Sequence, residues 1–97
     1  MAKTKPFDVA EYLDDPKMIA AYLSEALETG DTDYVKKAIG TVARAHGMAS
    51  VAKATELSRE NLYRTLSSDG VRTEFDTIMK VIDALGLQLE VKPKAVA

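Results

Sequence analysis

With 97 residues and no cysteine, the chain has the length of one domain with a modest core, and disulfides, thiolate metal sites and cysteine nucleophiles are excluded. Its single histidine, His46, leaves no room for a His-rich metal site or paired-histidine catalysis, and the net charge of −2 argues against a protein that coats DNA in bulk. That charge is unevenly spread: residues 1–34 hold three lysines and eight acids, a balance of −5, whereas residues 35–97 hold ten basic side chains and seven acids, a balance of +3. Such asymmetry suits a molecule that meets phosphate with one half and a basic partner with the other.

Met1–Pro6 carries no apolar pattern, and no run in the chain has the length of a leader or a membrane span, so the expected compartment is the cytoplasm with no membrane partner. Phe7, Val9, Ala10, Tyr12 and Leu13 predict one or two helical turns. Asp14-Asp15-Pro16 reads as a break and a restart, because Asp15 can cap a helix and Pro16 fits its first position. The helix so begun runs to about Thr29, with Ile19, Tyr22, Leu23, Ala26 and Leu27 as its core stripe, and Gly30 ends it. Asp31 or Thr32 opens the next, which carries Tyr34, Val35, Ala38, Ile39, Val42 and Ala43 on one side until His46-Gly47. A histidine in that last turn favours the helix dipole rather than marking a base. Tyr12, Tyr22 and Tyr34 read as core-edge residues with a wet hydroxyl.

Residues 47–67 contain the one segment whose order points to a chemistry. Val51, Ala52, Leu57, Leu62 and Leu66 are spaced so that two short helices clasp, and Ala52 is small enough for a close crossing. Ser58 stands as the N-cap of the second helix, with Asn61 three residues on. Arg59, Asn61 and Arg64 then face outward, as in a helix-turn-helix that reads a DNA major groove. Arg59 is the first candidate for a bidentate contact to guanine and Asn61 for adenine, each giving about 1–3 kcal/mol of discrimination. Ser50, Lys53, Ser58, Tyr63 and Arg64, with Arg72 from the following loop, are candidates for holding phosphates, and Tyr63 fits equally well half-buried between helices. The same hairpin is also a common packing unit with no nucleic acid involved.

Ser67-Ser68-Asp69-Gly70 has loop composition. Thr73, with Glu74 and Asp76 in the first turn, opens a last helix over residues 73–86 through Phe75, Ile78, Met79, Ile82 and Leu85, and Gly86 is its natural C′ residue. Leu87-Gln88-Leu89-Glu90-Val91 alternates with the period of a half-buried strand, placed at residues 87–92. It has no partner strand in the chain. Pairing with the same strand of a second copy across a dimer axis satisfies its backbone, with Leu87, Leu89 and Val91 on the shared face.

Four stretches, PFDVAEYLDDP, IAAYLSEALETGD, LSRENLYRTLS and FDTIMKVIDALGLQLEV, taken in this order resemble the addiction-module antidote proteins. These are helix-turn-helix antitoxins similar to the HigA type, encoded beside a small toxin that often cuts mRNA. The resemblance covers roughly Pro6 to Val91. It implies an all-α fold, a five- or six-helix bundle with a lambda-repressor-like helix-turn-helix and the short C-terminal β-strand. It also implies a sequence-specific homodimer that represses its own operon at an inverted repeat in double-stranded DNA and neutralises its toxin. A toxin that binds RNA is basic, so Asp8, Glu11, Asp14, Asp15, Glu25, Glu28, Asp31 and Asp33 become its candidate docking surface. No cofactor, metal or catalytic residue is expected: Asp14-Asp15 and Glu25/Glu28 are the tight carboxylate groupings, and both suit caps or solvated faces. The rival readings are a protein-interaction module in which the hairpin is only packing, or a transcriptional regulator without a toxin partner, and, more remotely, an enzyme. One departure stands in the turn, where Glu56 occupies a position that helix-turn-helix proteins commonly give to glycine, at a cost of about 1 kcal/mol.

Overall fold

A computed structural model describes residues 14–67 and 72–95, and among these it has five helices and no strand. Helix α1 (Pro16–Glu28) begins as the sequence requires: the Lys17 N–H donates to the Asp15 carboxylate at 3.0 Å, and Pro16 sits where a missing N–H costs nothing. It stops at a tight corner. The Thr29 hydroxyl donates to the Ala26 carbonyl, Gly30 turns left-handed at φ 71°, and the Asp31 N–H returns to the Thr29 oxygen at 3.1 Å. Asp31 then caps helix α2 (Thr32–His46), accepting from the Tyr34 N–H at 3.2 Å. His46 lies in the last turn beside Arg44, and Gly47 ends the helix at φ 115°.

Helices α3 (Met48–Thr55) and α4 (Arg59–Ser67) follow, then α5 (Phe75–Ala84). The core is one cluster drawn from all five: Ile19 and Leu23 from α1, Ile39 and Val42 from α2, Val51 from α3, Leu62 and Leu66 from α4, and Val81, Ile82 and Leu85 at α5. Gly40 of α2 faces Leu66 of α4, and a Cβ there would stand 3.5 Å from the Leu66 Cβ, an ordinary contact distance. Met48 is buried with α3, and Leu57 packs against the cluster from the turn.

Several apolar positions fall differently from their stripes. Leu27 and Tyr34 are exposed, while Lys36 is buried, its ammonium 3.9 Å from Asp33. Along α5 the inward residues are Val81, Ile82 and Leu85 with Ile78 half-buried, and Phe75 and Met79 are exposed. A period of 3.6 residues defines a stripe but not its phase when apolar residues occupy two adjoining flanks. Thr73 does not open that helix either. Its hydroxyl donates to the Thr65 carbonyl at 3.2 Å, tying the approach to α5 onto α4, and Glu74 takes the cap position without a side-chain hydrogen bond. The helix is therefore Phe75–Ala84 rather than residues 73–86. The expected turns of helix at Phe7–Leu13 and the loop residues 68–71 lie outside the described residues.

In the single chain the C-terminal segment is not a strand. Residues 87–95 have no ladder within the chain, as expected of a segment whose proposed partner is the same segment of a second copy. Gly86, at φ 76°, does close α5 as expected: its N–H reaches the Asp83 carbonyl and the Leu87 N–H reaches the Ile82 carbonyl, a Schellman ending. This ending folds the chain back, so Leu87 and Leu89 pack in part on their own core while Val91 is 97% exposed.

Candidate nucleic-acid interface

The hairpin α3–α4 is held by its turn. The N–H groups of Glu56 and Leu57 both reach the Ala52 carbonyl, the second at 3.1 Å, which requires the residue between the helices to turn left-handed. That residue is Glu56, at φ 63° the single non-glycine with positive φ among the described residues. Thr55 is buried below it and returns its hydroxyl to the Val51 carbonyl at 2.8 Å. The turn between α3 and α4 thus holds a glutamate in a left-handed conformation that favours glycine. Glu56→Gly is expected to raise stability by about 0.5–1 kcal/mol, a gain of a few degrees in Tm. Thermal unfolding followed by circular dichroism checks it, and an unchanged or lower Tm contradicts the strain.

Ser58 caps α4 as the sequence predicts, its Oγ accepting from the Asn61 N–H at 3.0 Å. The cap uses a lone pair and leaves the hydroxyl proton available to an acceptor such as a phosphate. Leu62 and Leu66 anchor the inner face, so Arg59, Asn61 and Arg64 are all exposed, as are Ser50 and Lys53 on α3. Tyr63 is 39% exposed, on the rim of the packing rather than free of it. Arg72 is exposed at the start of the described approach to α5.

Two features of this surface escape the sequence reading. The Arg64 guanidinium donates to Asn61 Oδ1 at 3.1 Å, so these two side chains act as a unit. The amide oxygen keeps a second lone pair, which leaves an adenine contact by Asn61 sterically and chemically open. Glu60 is the other: it sits exposed in the first turn of α4, one turn before Arg64. A carboxylate there can accept from the cytosine amino group and repels a phosphate placed too near. Its signal was the four-residue spacing to Arg64, which puts both on one exposed face. Across α3, the turn and α4, Lys53, Arg59 and Arg64 face Glu56 and Glu60, so the hairpin itself is only slightly cationic.

The acids of the first third divide. Asp15 and Asp31 are helix caps, Asp33 is half-buried near Lys36, and Asp14, Glu25 and Glu28 are exposed. Asp8 and Glu11 lie outside the described residues. A cleft of about 580 Å³ opens beside them, walled by Leu27, Val35, Ile39 and Ile78 with Asp33 and Lys36 on its side. No group of three or more His, Cys, Asp or Glu able to hold a metal occurs among the described residues, and no helix among them is long and apolar enough to cross a membrane.

A family model described as "probable addiction module antidote protein" matches residues 3–93. The chain belongs to this family. It is also similar to a protein of Haemophilus influenzae (strain ATCC 51907 / DSM 11121 / KW20 / Rd) that carries the name "Uncharacterized protein". The two are 43% identical over 88 residues, which is 91% of this chain and 90% of that one. No solved structure matches. The family match runs through the hairpin, the last helix and the tail, so the interface described above lies within the antidote pattern.

Proposed function

We propose that this antidote-family chain is a DNA-binding antitoxin that represses its own operon and neutralises a small basic toxin in the cytoplasm. The observation that supports it is the capped, left-turning α3–α4 hairpin with Arg59, Asn61 and Arg64 outward, carried on a chain of the antidote family. In this reading α4 lies in the major groove, Arg59 takes a guanine, and Asn61, steadied by Arg64, takes an adenine. Ser50, Lys53, Ser58, Tyr63 and Arg72 hold the flanking phosphates, and two copies grip an inverted repeat. A gel shift with the DNA upstream of the chain's own reading frame tests it. Operator is expected to bind at least about a thousandfold tighter than random DNA, with both affinities falling as salt rises. No retardation at low salt removes the DNA-binding reading and leaves family membership untouched.

The near-balance of charge on the hairpin favours one second reading, an interaction module that does not bind DNA. The same gel shift separates the two.

For the toxin, the exposed acids of α1 are the proposed docking charges. Opposite charge speeds encounter more than it raises affinity, so Glu25→Lys with Glu28→Lys is expected to slow toxin association at low salt and to matter little at high salt. Association rates unchanged at low salt, with helicity intact, would remove the acids of α1 from the contact.

A further inference from the structure

Helix α4 turns one face to the core and the other to solvent. Leu62 and Leu66, both buried, mark the inner face. Each residue advances about 100° around a helix, so Glu60 stands about 140° and Arg64 about 180° from the line between these leucines. Glu60 and Arg64 therefore occupy the middle of the outward face, and both are exposed.

A glutamate one turn before an arginine is the order that favours an ion pair along a helix. The structure does not use it. The Arg64 guanidinium turns instead to Asn61 Oδ1 at 3.1 Å. The first free backbone donors of α4 are taken as well: the Asn61 N–H donates to Ser58 Oγ and the Leu62 N–H to the Ser58 carbonyl. Among the described residues no cation and no hydrogen-bond donor meets the Glu60 carboxylate. The helix thus holds out a group that only accepts hydrogen bonds.

We propose that Glu60 is a specificity-determining residue, demanding a cytosine in each half of the operator by accepting from its amino group in the major groove. The assignment rests on the reading in which α4 enters that groove. A carboxylate has few partners among base edges. Guanine presents the acceptors N7 and O6, and thymine presents O4 beside a methyl group, so both refuse it. Adenine sets its amino donor beside the N7 acceptor, an arrangement that suits an amide and opposes one carboxylate oxygen. Cytosine offers its amino donor with no acceptor of its own beside it. Against any other base the carboxylate is desolvated without a donor, and that penalty is the source of selectivity. Glu60 therefore serves discrimination rather than grip, weakening wrong sequences more than it strengthens the right one.

Titrations of the full chain with the duplex upstream of its own reading frame, each base pair replaced in turn, test the assignment. At one position in each half-site, replacing cytosine is expected to cost wild type about 5- to 150-fold in affinity. Glu60→Gln keeps the shape and removes the charge. Its cytosine demand is expected to vanish in favour of adenine, whose N6 and N7 an amide can engage together. Glu60→Ala is expected to lose the demand and to gain no new preference. Preferences at the other positions persist, and circular dichroism checks that helicity is intact. Base preferences of Glu60→Gln identical to wild type at every position overturn the assignment and leave the DNA-binding reading standing. So does an even gain in affinity on all duplexes, which makes Glu60 a charge that merely repels phosphate. A wild type that binds no duplex removes the DNA-binding reading itself, and the assignment with it.

Discussion

Leu62→Ala is expected to cost about 2–5 kcal/mol of folding stability and to lower Tm by roughly 10–30 °C. Leu62 is fully buried, on the inner face of the helix whose outer face carries the candidate DNA contacts. Truncation removes its transfer energy and leaves a cavity where α4 packs on α2 and α3, which cannot fully collapse onto it. A domain of this size has about 5–15 kcal/mol in total, so one side chain commands a large share. The volume-conserving Leu62→Met is expected to cost less than about 1.5 kcal/mol. Urea and thermal unfolding of both variants provide the check. A drop of only a few degrees for the alanine variant means that the hairpin is not seated on the core as described.

Arg59→Ala is expected to lower operator affinity by about 5- to 150-fold, the equivalent of 1–3 kcal/mol, while leaving binding to random DNA far less changed. The variant keeps its fold, because Arg59 is exposed at the first turn of a helix whose cap, Ser58, is untouched. Lys53→Ala is the contrast. From the exposed side of α3 it is expected to weaken operator and random DNA by similar factors and to flatten the salt dependence by about one unit of slope. Titrations at several salt concentrations on both DNAs separate the two effects. Equal losses from Arg59→Ala on operator and random DNA place Arg59 on phosphate rather than on a base. Wild-type behaviour from both variants shows that α4 does not dock in the groove.

The starts and ends of helices were legible in the sequence because they are local chemistry. Asp15-Pro16, Gly30-Asp31, Gly47, Ser58 and Gly86 act through hydrogen bonds two to five residues long and through φ values that few residues adopt. Glu56 was legible for the same reason: the tight turn expected between the two short helices needs a left-handed residue there whatever its identity, and the structure places φ 63° on it. The outward set Arg59, Asn61 and Arg64 followed from Leu62 and Leu66 facing inward on a helix too short to drift in phase. Tertiary packing decided what depends on distant residues. Phe75 and Met79 are as apolar as Val81 and Ile82, and only the direction in which α5 meets α3 turns the second pair inward and leaves the first outside. The alternating tail has a strand's pattern, but without a neighbouring strand its apolar residues bury what they can against the bundle. Lys36 could not be placed by its type, since a lysine is buried only where a fold brings an acid and apolar walls around its stem. Local hydrogen bonding and backbone sterics are written in neighbouring residues, whereas the side a helix shows to solvent is set by which other helix arrives to cover it.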